Sequence, residues 1–278
     1  MPSAVITGAS SGIGKSLAKE LQLRGYTVFA GARRLESMSE LTEAGVYTHI
    51  LDVTDQKSVE AFKAHVEEVL KGSGLDYLFN NAGQPCSSPI ADLDVNWAVT
   101  CYDVNVFGVM RVTQAFIPML IDAKGTIVNT GSMAGEVPYP FASVYGSSKA
   151  ALHHFARSLK MELEPFGVRV ITTKTAAVKT NISDPRGLQD DSIYKIIQDG
   201  YELRRTLAQR GNPQDPDDYA KQLLGILNNN PKPFFYMGSG WWRGFMFKFF
   251  PDWLRDYMIM KTFKLTEIPN RLAKLKTN

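Results

Sequence analysis

The stretch VITGASSGIG, residues 5–14, joins a short apolar run to an amphipathic segment at the start of the chain. This pattern predicts a strand, a tight turn and a helix. Glycines let the backbone approach a ligand closely, and a helix N-terminus offers free N–H groups to a pyrophosphate. A plain strand–helix turn is the alternative. We expect a dinucleotide site at Gly8, Ser10, Ser11, Gly12, Ile13 and Gly14.

Short apolar runs alternate with longer amphipathic segments along the first 180 residues, which favours βαβ units and a parallel sheet. We therefore predict an α/β fold with a Rossmann-type doubly wound parallel sheet of about seven strands and helices on both faces. Strands are predicted at 4–7, 27–30, 48–51, 77–80, 126–130, 169–173 and 233–237. Helices are predicted at 14–24, 58–70, 104–120, 144–164 and 217–227.

The length of 278 residues suits a single domain at 1–240 followed by an extension at 241–278. The extension carries eight Lys/Arg against three Asp/Glu, whereas the first 240 residues carry 23 against 25. Because the basic excess lies in the extension, we do not expect the body to bind nucleic acid. The segment 183–216 is polar and rich in Gly and Pro, and we expect an irregular flap over the ligand edge of the sheet.

Cys86 and Cys101 are the only cysteines, and they form no Cys-x-x-Cys pair. This argues against a disulfide framework or a zinc site and favours a reducing compartment. The four histidines do not suggest a metal site either. The sequence has no secretory signal pattern and no run of 18 apolar residues, so we expect a cytoplasmic protein without a spanning helix.

Arg33 and Arg34 follow the second predicted strand, where an NAD site would place an acidic residue. Two guanidinium groups suit bidentate contact with a 2′-phosphate, so their position favours NADPH/NADP⁺. A solvated pair of loop residues is the alternative. Asp52 and Val53 follow the third predicted strand and lie at the same sheet edge.

Tyr145 lies four residues before Lys149 in a predicted helix, so both side chains share one face. A nearby cation favours the charged form of an acid, and we expect Lys149 to lower the pKa of the Tyr145 phenol toward neutrality. Such a phenol can donate a proton to a carbonyl oxygen. Ser132, at the end of the fifth predicted strand, can hydrogen-bond the same oxygen.

Asn105, Ser132, Tyr145 and Lys149 together resemble the catalytic tetrad of the short-chain dehydrogenase/reductase family, as does the Gly-x-x-x-Gly-x-Gly spacing of residues 8–14. The resemblance implies that Asn105 distorts its helix and holds a water, and that Tyr145 and Lys149 also contact the cofactor. It implies further cofactor contacts from Asp52, Val53, Asn81, Ala82, Gly83, Val178 and Thr180. The family's usual Pro-Gly is missing from residues 175–180, which read TAAVKT.

Segments such as residues 31–34 (GARR) and 104–108 (VNVFG) resemble one branch of that family, the fungal reductases of 1-acyldihydroxyacetone phosphate. This resemblance implies NADPH-dependent reduction of an apolar ketone to a secondary alcohol, and a homo-oligomer. The alternatives are a ketoreductase of fungal polyketide or other natural-product biosynthesis and a non-catalytic NADPH-binding regulator. We expect Tyr139, Phe141, Gln84 and the flap to line the substrate site.

Residues 241–263 hold nine aromatic side chains interleaved with basic residues. This composition is typical of a segment lying on an anionic membrane surface, and in that branch the enzymes are associated with endoplasmic reticulum and lipid droplets. A lid over the substrate pocket or a subunit contact is the alternative, because aromatic residues also dominate buried interfaces. Each reading favours an apolar substrate.

Overall fold

The computed structural model describes residues 1–180, 182, 184 and 186–277. Seven parallel strands of this part form one sheet in the order β3-β2-β1-β4-β5-β6-β7. They are β1 (Ser3–Thr7), β2 (Thr27–Ala32), β3 (Tyr47–Ile50), β4 (Tyr77–Asn80), β5 (Thr126–Thr130), β6 (Arg169–Thr175) and β7 (Phe234–Met237). The strand order reverses between β1 and β4, the place where such sheets bind ligands. The predicted Rossmann-type sheet is confirmed.

Eleven α-helices connect and cover the strands in the described residues. They are α1 (Gly12–Leu23), α2 (Ser39–Glu43), α3 (Gln56–Leu70), α4 (Val95–Tyr102), α5 (Gly108–Ala123), α6 (Ser143–Leu163), α7 (Gln198–Arg205), α8 (Pro216–Leu227), α9 (Trp241–Met246), α10 (Asp252–Thr262) and α11 (Ile268–Thr277).

Apolar side chains cover both faces of the sheet. Leu17 of α1 and Leu223 of α8 lie in a buried cluster on one face. Phe62 of α3, Phe116 of α5 and Leu159 of α6 lie in a second cluster on the other. Because burial of apolar area drives folding, these two clusters fix the helices against the sheet and hold its carboxyl edge in place.

The stretch Val95–Ala123 is helical throughout and begins nine residues before the predicted start at 104. Asp94 explains the earlier start, because its side chain caps the helix by accepting a hydrogen bond from the Asn96 N–H at 2.9 Å. By length and composition alone this helix could cross a membrane, but half of its apolar window is buried inside the fold. We therefore interpret it as a core helix.

The segment predicted as an irregular flap, 183–216, contains helix α7, so that prediction is wrong in part; Ser183 itself lies outside the described residues. Tertiary contacts stabilise α7 despite its polar sequence. A Cβ on Gly200 would lie 2.1 Å from the Phe263 carbonyl oxygen, so the C-terminal extension passes directly over this helix. Arg271 donates to the Ile196 carbonyl at 2.8 Å and to Asp199 at 3.0 Å.

The extension has a buried side and an exposed side. Ile259 and Phe263 are buried, in one cluster with Met133 of the loop after β5. Trp242 and Trp253 face outward, with 55% and 71% of their surface exposed. The extension therefore packs on the body with one side and leaves large aromatic groups exposed on the other.

Gly14→Ala is expected to destabilise the fold by about 1–3 kcal/mol, because the new Cβ would lie 2.4 Å from the Gly8 carbonyl oxygen. Gly225→Ala is the matched control. Its Cβ meets nothing within 4 Å in α8, and it should stabilise by up to about 1 kcal/mol. Urea unfolding of both variants measures the contrast, and equal effects would contradict the packing described.

Candidate active site

The glycine-rich turn connects β1 to α1 at the point where the strand order reverses. Gly8 and Gly12 have φ values of +70° and +55°, which favour glycine. Ser11, at the N-cap of α1, forms no side-chain hydrogen bond to the helix. The N–H groups of the first turn therefore remain available to an anion, and the turn fits a cofactor pyrophosphate.

The segment after β4 is fixed to this turn by side-chain hydrogen bonds. Asn81 Nδ2 donates to the carbonyl oxygens of Thr7 and Gly8 at 3.1 and 3.2 Å. Thr7 Oγ1 accepts from the N–H groups of Asn81 and Ala82 at 3.0 and 2.9 Å. A Cβ on Gly83 would lie 3.6 Å from Lys149 Nζ. These residues join the glycine turn to the centre of the site.

Arg33 and Arg34 lie directly after β2 and are exposed, and neither forms an ion pair with a described residue. Both guanidinium groups are thus free to meet a ligand at this edge. Asp52 forms a local turn, in which its Oδ1 accepts from the N–H of Thr54 at 2.9 Å and from its hydroxyl at 2.7 Å. Val53 is buried, and a Cβ on Gly108 would lie 2.7 Å from its Cγ2.

The loop after β6 lacks Pro-Gly, yet backbone hydrogen bonds hold it. The Ala176 N–H donates to the Met237 carbonyl at 2.8 Å, and the Lys179 N–H donates to the Gln214 carbonyl at 2.9 Å. Val178 is buried, and Thr180 lies over the glycine turn, where a Cβ on Gly12 would be 2.9 Å from its Cγ2. This loop therefore closes over the residues expected to hold the cofactor.

Asn105 lies in a π-helical turn, Asp103–Phe107, between α4 and α5. This turn matches the helix distortion that the resemblance implied at Asn105, whereas the predicted helix start at 104 is wrong. Its side chain is fully buried. Oδ1 accepts from the Gln84 N–H at 2.9 Å, and Nδ2 donates to the Gln84 carbonyl at 3.1 Å and to Ser148 Oγ at 3.2 Å. Asn105 thus joins the loop after β4 to α6 beside the site.

Ser132 follows β5 and is held by His153, a residue that the sequence analysis did not select. The Ser132 N–H donates to His153 Nε2 at 3.3 Å. Burial, and then the charge of Lys149, lower the pKa of His153 to about 4, so the ring is neutral and accepts this bond. His153 lies four residues after Lys149 in α6, and this spacing could have identified it.

Tyr145 and Lys149 lie on the same face of α6, as predicted. Lys149 is buried, and its Nζ donates to the Thr130 carbonyl at the end of β5 at 2.9 Å. The same Nζ lies 5.9 Å from the centroid of the Tyr145 ring. The helix face that carries the phenol therefore faces the carboxyl end of β5, next to Ser132.

Burial raises the pKa of Tyr145 above 10.0, while the Ser132 hydroxyl and the Arg204 guanidinium act in the opposite direction. Burial also lowers the pKa of Lys149 to about 8. The prediction that Lys149 lowers the pKa of Tyr145 toward neutrality is therefore wrong for this structure. Desolvation of the phenol outweighs the nearby charges.

Cys86 and Cys101 form a disulfide, contrary to the sequence analysis. The loop after β4 and helix α4 bring their Cα atoms to 6.3 Å, within the range that a disulfide spans. Asn105 Nδ2 lies 3.4 Å from Cys101 Sγ, so the bridge lies directly behind the π-helical turn. Sequence spacing gave no signal of this pairing.

Tyr139, Phe141 and Gln84 were expected to line the substrate site. Phe141 is buried against Tyr201 of α7 with its ring centroid at 5.5 Å, so it supports the covering helix. Tyr139 is half-buried and lies beside Arg204 of α7, whose Cζ is 5.2 Å from the ring centroid. Gln84 hydrogen-bonds Asn105 through its backbone.

A metal centre has no ligand set in the described residues, since no three His, Cys, Asp or Glu side chains cluster there. The groups that do converge are a phenol, an ammonium group, a hydroxyl and a guanidinium group. This set can hold a carbonyl oxygen and give it a proton.

Comparison with known proteins gives consistent matches. The family model for short chain dehydrogenases matches residues 2–191. The NADPH-dependent 1-acyldihydroxyacetone phosphate reductase of Saccharomyces cerevisiae is 40% identical over 283 positions, covering 99% of this chain and 95% of that protein. The Schizosaccharomyces pombe protein of the same name is 43% identical, covering 75% and 71%. An alcohol dehydrogenase from the archaeon Thermococcus sibiricus, solved with 5-hydroxy-NADP, has a TM-score of 0.71 at 26% identity, covering 87% of this chain and 97% of its own.

Lys149→Met tests the lowered pKa of the buried ammonium group, which is about 8 in the folded chain and 10.5 ordinarily. Between these two pH values Lys149 is more protonated in the unfolded chain than in the folded chain. The contribution of Lys149 to the free energy of unfolding therefore rises with pH. The difference in unfolding free energy, wild type minus Lys149→Met, should therefore rise by on the order of 3 kcal/mol from pH 7.5 to 10.5. Urea unfolding at several pH values measures it, and a pH-independent difference would refute the lowered pKa.

Proposed function

Because this chain belongs to the short-chain dehydrogenase family, whose members are oxidoreductases acting on CH–OH and C=O groups, we propose that it is an NADPH-dependent ketoreductase. Its substrate is an apolar, lipid-like ketone of the 1-acyldihydroxyacetone phosphate type, reduced to a secondary alcohol. The observation that carries the proposal is 40% identity over 99% of the chain to a reductase of that name. A ketone of natural-product biosynthesis is the alternative substrate.

The choice of NADPH over NADH rests on Arg33 and Arg34. Both are exposed at the carboxyl end of β2, and no described carboxylate neutralises them. Guanidinium groups bind a phosphate through paired N–H donors, so they favour the cofactor with the 2′-phosphate. The uncapped first turn of α1 would hold the pyrophosphate of the same molecule.

Bound NADPH would supply a hydride to the carbonyl carbon. The Tyr145 hydroxyl donates its proton to the carbonyl oxygen, and the Ser132 hydroxyl donates a hydrogen bond to that oxygen. The raised pKa of Tyr145 keeps the phenol protonated at neutral pH, which is the form that reduction requires. The hydrogen bond from Lys149 to the Thr130 carbonyl holds the helix face that carries Tyr145 against the site.

Tyr145→Phe should lower kcat with an acyldihydroxyacetone phosphate at least about 1,000-fold, because the variant has no proton to donate. The Kd for NADPH should change less than about threefold, since the ring is retained. Tyr257→Phe, on the exposed side of the extension, is the control and should match wild type. Stopped-flow NADPH oxidation and fluorescence titration provide the two values. Turnover by Tyr145→Phe near the wild-type rate would disprove the proton-donor role.

Arg33→Ala combined with Arg34→Ala should reduce kcat/KM for NADPH about 100-fold and leave kcat/KM for NADH within about threefold, because only NADPH carries the 2′-phosphate. The matched control is Arg24→Ala, whose guanidinium pairs with Glu20 at 2.8 Å on α1. Equal losses with both cofactors would show that the two arginines do not select the phosphate.

We also propose that the exposed side of residues 241–263 lies on an anionic membrane surface and collects the substrate there, which would make the protein peripheral on endoplasmic reticulum or lipid droplets. Support comes from the exposed side of the extension, where Trp242, Phe249 and Trp253 are 55%, 68% and 71% exposed. Lys261 and Arg243 lie in the same segment. Aromatic and basic side chains together favour binding at the interface of an anionic bilayer.

Trp242→Ser with Trp253→Ser should lower the fraction of protein that floats with phosphatidylserine-containing vesicles by about tenfold or more, because both indoles leave the interface. Leu23→Ser, an exposed apolar residue on α1, is the control. Flotation in a density gradient measures the bound fraction. Unchanged flotation of the double variant would exclude this surface as the membrane contact.

A further inference from the structure

Arg204, near the end of α7, forms no ion pair with a carboxylate in the described part of the chain. Its Nε is completely enclosed and forms no hydrogen bond there, and no described carboxylate pairs with it. Two other arginines in this region have carboxylate partners. Arg205 pairs with Glu202 at 2.7 Å, and Arg271 pairs with Asp199 at 3.0 Å. The residue as a whole is only half-buried, but a partly desolvated cation without a counter-charge still costs free energy, which indicates a function for it.

The position of Arg204 connects it to the site. Its Cζ lies 5.2 Å from the centroid of the Tyr139 ring, in the loop between Ser132 and Tyr145. Its positive charge favours the ionised forms of both Tyr139 and Tyr145, as expected for a guanidinium group close to the two phenols. Arg204 therefore lies against Tyr139 and close enough to Tyr145 to act on its charge.

The helix that carries Arg204 is held in place by the C-terminal extension. Gly200 of α7 touches the Phe263 backbone so closely that a Cβ there would lie 2.1 Å from its carbonyl oxygen. Arg271 of α11 bonds Asp199 of α7 with both of its terminal nitrogens, each at 3.0 Å. Tyr201 is buried, and its hydroxyl donates to the Ser87 carbonyl at 3.1 Å. Arg204 thus has a defined position over the site.

We propose that Arg204 binds a phosphate monoester carried by the substrate on the carbon next to the ketone, and so selects phosphorylated ketones over neutral ones. This inference rests on the proposed function, since it assumes that a ketone is reduced at Tyr145. In an acylated dihydroxyacetone phosphate the phosphate is attached through one methylene group to the carbonyl carbon. The anion must therefore enter close to Tyr145 whenever the carbonyl oxygen meets the phenol.

The chemistry of the two groups is complementary. A guanidinium group presents paired donors that match two phosphate oxygens. Burial lowers the pKa of Arg204, and a bound anion would oppose that shift because it favours the charged form. Binding the anion would give Arg204 the counter-charge that the described residues do not supply. An arginine that merely favoured ionisation of Tyr145 would affect every ketone alike, which makes the two roles separable.

The test compares two ketones with the NADPH-loaded enzyme: 1-palmitoyldihydroxyacetone phosphate and 1-palmitoyldihydroxyacetone, which lacks the phosphate. Arg204→Gln should lower kcat/KM for the phosphorylated ketone about 100-fold or more and that for the neutral ketone less than about fivefold. Arg204→Lys, which keeps the charge, should recover part of the preference. Arg210→Gln removes an exposed cation five residues before the N-cap Asp215 of α8 and should match wild type.

Equal losses on the two ketones, or no loss on either, would overturn the proposal. A second measurement needs no variant: glycerol 3-phosphate should inhibit reduction of the neutral ketone competitively, whereas glycerol should not. Absence of this inhibition would also overturn it. If wild type reduces neither ketone, the proposed function fails. Titration calorimetry of glycerol 3-phosphate with wild type and Arg204→Gln still tests the role of Arg204 in that case. Loss of binding in the variant would support the proposal, and retained binding would overturn it.

Discussion

The hydrogen bond from the buried Lys149 ammonium group to the Thr130 carbonyl is the constraint on which the site depends. A buried cation needs an acceptor, and at 2.9 Å this one lies at the carboxyl end of β5. This bond fixes one face of helix α6 against the end of β5, and Tyr145 on that face hydrogen-bonds the Ser132 side chain. His153, one turn further along α6, then holds the Ser132 backbone at 3.3 Å. One helix face thus positions the whole set of reacting groups.

The surroundings of this face explain why its phenol stays protonated. Helix α7 and the C-terminal extension cover the loop after β5, with Phe263 buried against it. Desolvation raises the pKa of Tyr145 despite the positive charge of Arg204. The same cover brings the Arg204 guanidinium group to the Tyr139 ring beside the site. Substrate recognition and control of proton affinity are therefore coupled through α7.

Much of the fold could be predicted because it follows from local patterns of apolar and polar residues. β4 and β5 have the predicted ends, and the order of strands and helices follows from alternating apolar runs. Helix α7 was missed because its stability comes from contacts with Phe263 and Arg271, which are distant in sequence. The Cys86–Cys101 bridge was missed for the same reason, since no spacing rule brings the loop after β4 and helix α4 together.

Within the site, helical spacing placed Tyr145 and Lys149 together correctly but did not give the sign of the pKa shift. That sign depends on how much burial outweighs charge, which is a tertiary property. Arg204 carried no sequence signal, because a basic residue in a polar segment is usually solvated. The sequence therefore identifies the reacting groups, whereas the three-dimensional structure is needed to find what surrounds them.

A crystal structure with NADP⁺ bound would show whether one face of α6 positions the reacting groups. Lys149 Nζ should retain its bond to the Thr130 carbonyl, and the hydroxyls of Tyr145 and Ser132 should both face the reactive carbon of the nicotinamide ring. A dinucleotide bound away from this face of α6, or a helix turned so that Tyr145 points away from the ring, would contradict this arrangement.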